Sequence, residues 1–243
     1  HIFGIETGNT GKVVIIALLA VLYSLSAVSG LKRGVAYLST INVAIVVAFC
    51  VFILLTGETN TLLRYYVTGI GNYLGNLLPM TFWADPLQKS GWINWWTVFY
   101  WGWWIAWSPF VGMFIARISK GRSVREFVTA VLLVPTAVTV IWMSVYGGIA
   151  IEQVQNGIGA LGTEGLTSVP LAMFQMFDEM ALGSILSVIA IILVLVFFIT
   201  SSDSGSLVID SITSGGKIDA PVPQRIFWAS VEGAIAIALL WIG

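Results

Sequence analysis

Charge is scarce in this 243-residue chain: 9% of its residues are Asp, Glu, Lys or Arg, against roughly a quarter in a soluble globular domain. With 58% hydrophobic residues and a mean hydropathy of +0.93, this points to an integral membrane protein. The net charge of -1 leaves no basic face to neutralise phosphates, which sets nucleic acid aside as a partner. Histidine is limited to His1 and cysteine to Cys50, which lies in an apolar run. These shortages rule out a disulfide framework and a cysteine metal cluster, and leave no internal imidazole for acid-base work or metal ligation. No nucleophile-base constellation remains, and the chain reads as something other than an enzyme.

Long apolar runs are what the chain does have. A membrane-spanning helix needs about 20 mostly apolar residues, which predicts spans over about 12–31, 37–57, 93–116, 124–148, 180–202 and 224–243. The stretch 61–83 mixes apolar residues with Asn72, Asn76 and glycines and reads as an amphipathic helix on the membrane surface. The glycine-rich stretch 149–178 reads as an extramembrane loop with short helices. Alternating the six spans gathers Lys32, Arg33, Arg117, Lys120, Arg122, Arg125, Lys217 and Arg225 on one side, 8 of the 11 basic residues. Lys12, Arg64 and Lys89 fall on the other, so the first side is cytoplasmic by the positive-inside rule. Seven of 12 acids, Glu6, Glu58, Asp85, Glu152, Glu164, Asp178 and Glu179, lean outward, although acids count for little in that rule. Both ends look cut: the chain opens on His1 without a leader-like stretch and stops at Gly243 directly after an apolar run. It is expected to be the middle of a larger protein, one partial membrane domain over 1–243.

Tryptophan is the other abundance. Seven of the 11 tryptophans fall between Trp92 and Trp107. Trp92, Trp95 and Trp96 suit an interfacial belt. Trp103, Trp104 and Trp107 lie ten or more residues from Arg117, at roughly 1.5 Å per residue, and so near mid-membrane. Taking Trp103 as the origin at 100° per residue, Trp107 falls at about 40°, Trp104 at about 100°, Phe110 at about 340° and Phe114 at about 20°. Converging indoles can hold a quaternary ammonium, which offers no hydrogen-bond donor, at ~0.5–1 kcal/mol per exposed contact and ~2 or more when desolvated. A lysine there would repel the cation and a carboxylate is costly at that depth. Aromatic packing between helices accounts for the same residues equally well.

Several polar residues carry two readings each. Pro109 removes a backbone donor and leaves the carbonyl of Ile105 without its helical partner. An opened helix of that kind can line a transporter site, and a packing kink is the plainer alternative. Arg117, Lys120, Arg122 and Arg125 form a basic cluster that sets topology and attracts anionic lipid, with regulation as the other reading. Glu232 is the one acid well inside an apolar span, a functional hypothesis by default; a protonated form or a bond to a neighbouring helix would explain it. Asp203 is expected to fix the inner end of its helix.

The run from Thr97 through Trp101-Gly102-Trp103-Trp104-Ile105-Ala106-Trp107-Ser108-Pro109-Phe110 to Lys120-Gly121-Arg122 closely resembles the signature of the betaine-carnitine-choline transporter family. The likeness extends across the chain, through Ser26-Ala27-Val28-Ser29-Gly30, Leu38-Ser39-Thr40-Ile41-Asn42 and Phe197-Phe198-Ile199-Thr200-Ser201-Ser202-Asp203-Ser204. The resemblance implies an all-α polytopic membrane protein with the inverted-repeat, leucine-transporter-like fold, of which this partial chain supplies spans six to ten and much of eleven. It implies that Trp103, Trp104 and Trp107 hold a trimethylammonium group, with Phe110 and Phe114 continuing the path toward the cytoplasm. In sodium-coupled members the positions of Phe197 (through its carbonyl), Thr200 and Ser201 (through hydroxyls) contribute to a sodium site. Without the family, those hydroxyls read as bonding back to helix carbonyls.

The expected function is secondary transport of a quaternary-ammonium compatible solute, glycine betaine foremost, with choline, carnitine and sulfonium analogues as alternatives. Coupling to sodium or protons stays open, and no cofactor is expected beyond a sodium ion as coupling ion. The expected setting is the bilayer of a bacterial cytoplasmic (inner) membrane, and the resemblance implies a homotrimer. A membrane scaffold or osmosensor of the same fold, its tryptophans serving only as packing, is the rival.

Overall fold

A computed structural model describes residues 8–29, 35–87, 91–217 and 221–242. Of the residues weighed above, Glu6, Gly30, Lys32, Arg33 and Lys89 lie outside the described residues. All regular structure among the described residues is helical: α1 Asn9–Ser29, α2 Val35–Thr56, α3 Thr59–Thr81, α4 Tyr100–Ile118, α5 Val124–Asn156, α6 Gly159–Thr163, α7 Ala172–Asp178, α8 Gly183–Thr213 and α9 Val222–Ile242. A π-helical segment, Ile93–Phe99, leads into α4, and a 3-10 turn, Val169–Leu171, into α7. Among the described residues five helices, α1, α2, α5, α8 and α9, are long and apolar enough to cross a membrane. The sixth expected span, α4, falls short of that apolarity because its tryptophans and Tyr100 are amphipathic and Pro109 and Arg117 interrupt its apolar residues. Helix α3 also stays below it.

The chain divides into two compact units, His1–Val51 with Gly157–Gly243, and Phe52–Asn156. In the first unit α1, α8 and α9 pack on one another. Ala229 and Gly233 of α9 are buried, and a Cβ on Gly233 would sit 2.9 Å from Ala20 Cβ and 3.1 Å from Tyr23 Oη. Small residues let helices approach closely where apolar lipid offers no hydrophobic drive to associate. Tyr23 then donates its hydroxyl hydrogen to the Ala229 carbonyl at 2.7 Å. At the other end of α8, Leu182 takes a left-handed backbone (φ 62) and Gly183 follows, where a Cβ would run into the Phe177 carbonyl. Phe177, fully buried, meets Phe49 of α2 edge to face at 5.5 Å.

In the second unit α3 packs along α5. Gly148 makes this possible, since a Cβ there would stand 2.9 Å from Leu62 and 3.2 Å from Tyr65. Helix α5 starts with a capping box: the Ser123 N–H donates to Glu126 Oε2 at 2.9 Å and the Glu126 N–H to Ser123 Oγ at 3.3 Å. The basic cluster brackets the turn before it, where Gly121 adopts φ +88.

Two helices overrun the expected boundaries. Helix α5 continues to Asn156 rather than ending near 148; Gly147 and Gly148 lie within it and Gly148 is consumed in packing. Helix α8 runs to Thr213 rather than 202. Asp203 therefore lies mid-helix and does not mark an end. Its polar stretch stays helical because Asp203, Ser206 and Asp210 are buried there.

Candidate functional site

The aromatic residues around α4 form a ladder. Trp92 meets Trp96 at 5.4 Å between ring centroids, Trp96 meets Tyr100 at 5.7 Å, and Tyr100 touches both Trp103 (6.0 Å) and Trp104 (6.1 Å). Trp104 in turn meets Trp107 at 5.4 Å with the rings inclined at 73°. The inner contacts join residues three or four apart, the spacing at which helical side chains become neighbours. At this inclination the two rings meet edge to face and form a corner rather than a stack. Trp103, Trp104 and Trp107 remain 57%, 45% and 43% exposed, and no residue of α4 is buried. These side chains remain accessible to a ligand or to another part of the protein.

Gly102 leaves a shallow depression flanked by Val98, Phe99 and Trp103. Trp83, Trp92 and Trp101 line a groove with Tyr73 and Met80. The π-helical turn breaks the regular spacing, so 100° per residue holds for 103–114 but does not carry back to Trp92, Trp95 and Trp96. Phe110 and Phe114 follow the inner set on α4 and are half-buried.

Helix α4 passes through Pro109 without interruption. The carbonyl of Ile105 accepts a hydrogen bond from Ser108 Oγ at 3.1 Å, which replaces the N–H that proline lacks. The helix is therefore not opened here; a Ser immediately before Pro, able to bond back to i−3, was the signal in the sequence.

Phe197, Thr200 and Ser201 occupy one turn of α8, in the first unit, whereas the tryptophans belong to the second. Thr200 is buried and its Oγ1 lies 3.0 Å from the carbonyl oxygens of both Val196 and Phe197. Its hydroxyl thus serves its own helix, and the Phe197 carbonyl already has a donor. Ser201 is exposed. Among the described residues no group of three or more His, Cys, Asp or Glu side chains could hold a metal ion. A backbone carbonyl and two hydroxyls would offer a small hard cation three of its oxygens, leaving the others to be supplied from elsewhere.

Below that turn lies a polar seam that the sequence did not reveal as one. Ser26 of α1 donates to Asp203 Oδ2 at 2.6 Å, joining two motifs that stand 177 positions apart. Arg225 of α9 pairs with Asp210 at 3.4 Å, and Gln224 donates to the Asp210 carbonyl at 3.3 Å. Such pairing is what allows acids and a guanidinium to remain inside a helical bundle.

The betaine/carnitine/choline family transporter model matches residues 1–243. The chain belongs to the betaine/carnitine/choline transporter family. It is similar to glycine betaine transporter 1 of Vibrio parahaemolyticus, 56% identical over 100% of this chain and 46% of that protein. It is also similar to a glycine betaine/proline/choline/ectoine transporter of the same organism, 52% identical over 100% of this chain and 43% of the relative. A glycine betaine transporter of Acinetobacter baylyi is 40% identical over 100% of this chain and 37% of its own length. The chain thus spans less than half the length of these relatives. Membership places the chain in a family of membrane transporters.

Proposed function

We propose that this chain is the tryptophan-bearing part of a secondary transporter that imports a quaternary-ammonium compatible solute, glycine betaine foremost, by alternating access. The observation that carries the reading is the corner of exposed indoles, Trp104 against Trp107 at 73°, with Trp103 tied to Trp104 through Tyr100. A trimethylammonium group has no N–H to donate, so π faces are the neutral groups best suited to it. The relatives named above, described as glycine betaine transporters, support the same substrate. Phe110 and Phe114 would then line the route onward, and the remaining walls of the cage would come from outside this chain. We also propose the inverted-repeat scaffold and the homotrimer implied by the family.

Sodium is the coupling ion we propose, held by the Phe197 carbonyl with Thr200 and Ser201. Loading requires the Thr200 hydroxyl to release the Phe197 carbonyl, a bond of ordinary strength worth about 1 kcal/mol. Uptake of labelled glycine betaine by cells making the full-length protein tests both parts. Trp103→Leu with Trp107→Leu is expected to abolish saturable uptake while leaving the protein in the membrane; unchanged affinity would refute the cage. Ser201→Ala is expected to raise the sodium concentration for half-maximal uptake, and sodium-independent uptake by the parent would refute the ion assignment.

A further inference from the structure

The seven residues that lead into α4, Ile93–Phe99, form a π-helix. This geometry is rare, occurs mostly as a single turn inside an α-helix, and is frequent at functional sites. Where the turn meets α4, the Tyr100 N–H donates to the carbonyl of Trp95, five residues back, as well as to that of Thr97. A ring closed from i to i+5 takes in one residue more than the α-helical ring, so it offsets whatever precedes it by about 100° around the axis. The consequence falls on Trp92 and Trp101. In an unbroken α-helix two residues nine apart lie on opposite faces, but with one residue absorbed they come within about 80° of each other. The structure places them together: both line one groove of about 660 Å³, with Ile93 and Thr97 of the π turn and Tyr73 and Met80 of α3.

Ring contacts support this register. Trp83 meets Trp92 edge to face at 6.0 Å, Trp92 meets Trp96 at 5.4 Å, and Trp95 meets Phe99 edge to face at 5.6 Å. Each such contact is modest, and no residue of the π turn is buried, so small opposing terms set the balance between π and α. We propose that Ile93–Phe99 is a register switch. Relaxation of the π turn to α swings Trp92 about 100° around the helix, away from Trp83 and Trp101, and takes the groove apart. Trp103, Trp104 and Trp107 lie on regular helix beyond the turn and keep their mutual geometry. One backbone turn thus sets the outer rings relative to the inner ones. Whatever fills the groove favours the π register, and whatever needs Trp92 on the far face favours the α register. This switch goes beyond the transport reading and does not rest on it.

Fluorine NMR of the full-length protein carrying fluorotryptophan, with the Trp92 line identified by its loss in Trp92→Phe, reads the two surroundings of that ring. Without substrate, the expected result is a major π form in exchange with a minor form of about 1–10%, seen as a second line or as relaxation dispersion. Deletion of Asn94, an exposed residue inside the turn, supplies an unbroken α-helix that leaves Trp92 and Trp101 on one face. The exchange is then expected to vanish with the line at its major-form position. Trp83→Leu removes an edge-to-face contact that favours the π form and is expected to raise the ratio of minor to major form about five-fold. A single Trp92 line without exchange in the parent, or exchange that survives deletion of Asn94, overturns the proposal. If the deletion variant fails to fold, Trp83→Leu decides, and an unchanged ratio overturns it. Because no substrate is added, the outcome is independent of the transport reading.

Discussion

On α4 the ring contacts of Trp103, Trp104 and Trp107 join residues three or four apart, whereas on α8 the Asp203 carboxylate is held by a serine 177 positions away. The aromatic set is exposed and the polar set is buried. The first is organised by one helix alone, so its geometry is available before any partner docks. The second exists only when three helices have come together. A binding surface can therefore be built into the local structure of α4, while the seam is a tertiary feature whose polar groups report on helix packing.

Substitutions that separate local from tertiary organisation sharpen this contrast. The largest effect is expected from Trp103→Leu combined with Trp107→Leu. At ~2 kcal/mol for each desolvated cation–π contact, binding should weaken about 30-fold per residue and about a thousand-fold together if they act independently. Titration calorimetry would measure this, and thermal stability should hardly change. Gly233→Val should do the reverse. It forces a side chain against Ala20 and Tyr23 and should cost up to about 3 kcal/mol of stability, seen as a lower midpoint of thermal unfolding. Ser26→Ala removes the donor to Asp203 and should cost about 2 kcal/mol, the scale of hydrogen bonds to charged groups. The smallest effect belongs to Ser108→Ala. Losing the bond to the Ile105 carbonyl should cost about 1 kcal/mol or less and increase amide hydrogen exchange locally around Pro109. A larger loss of substrate affinity than of stability in that variant would mean that Ser108 also serves the site.

Much of this was legible in the sequence, for physical reasons that differ by element. Apolar runs of spanning length place α1, α2 and α9 within two or three residues of their expected bounds, because burial in lipid dominates helix formation there. The inner tryptophan face followed from helical periodicity, since 103–114 lie in regular helix. The α8 terminus was misplaced because Asp203, Ser206 and Asp210 look like an exposed helix end when their partners are unknown. The α5 terminus was misplaced because Gly148 weakens a helix in isolation yet admits Leu62 and Tyr65 when α3 docks. The π-helical turn at Ile93–Phe99 leaves no mark that composition or spacing could have exposed.

The central claim is that the α4 indoles recognise positive charge rather than mere shape. Its most direct test is calorimetric binding of glycine betaine to the full-length protein, compared with the tert-butyl analogue in which carbon replaces the quaternary nitrogen. Both have the same shape and carboxylate, but only the first carries the cation. The indole corner predicts that the neutral-headed analogue binds at least about 30-fold more weakly, the loss of roughly one desolvated cation–π contact. It also predicts that this discrimination shrinks in Trp107→Leu. Equal affinity for the two compounds in the parent protein would contradict the account.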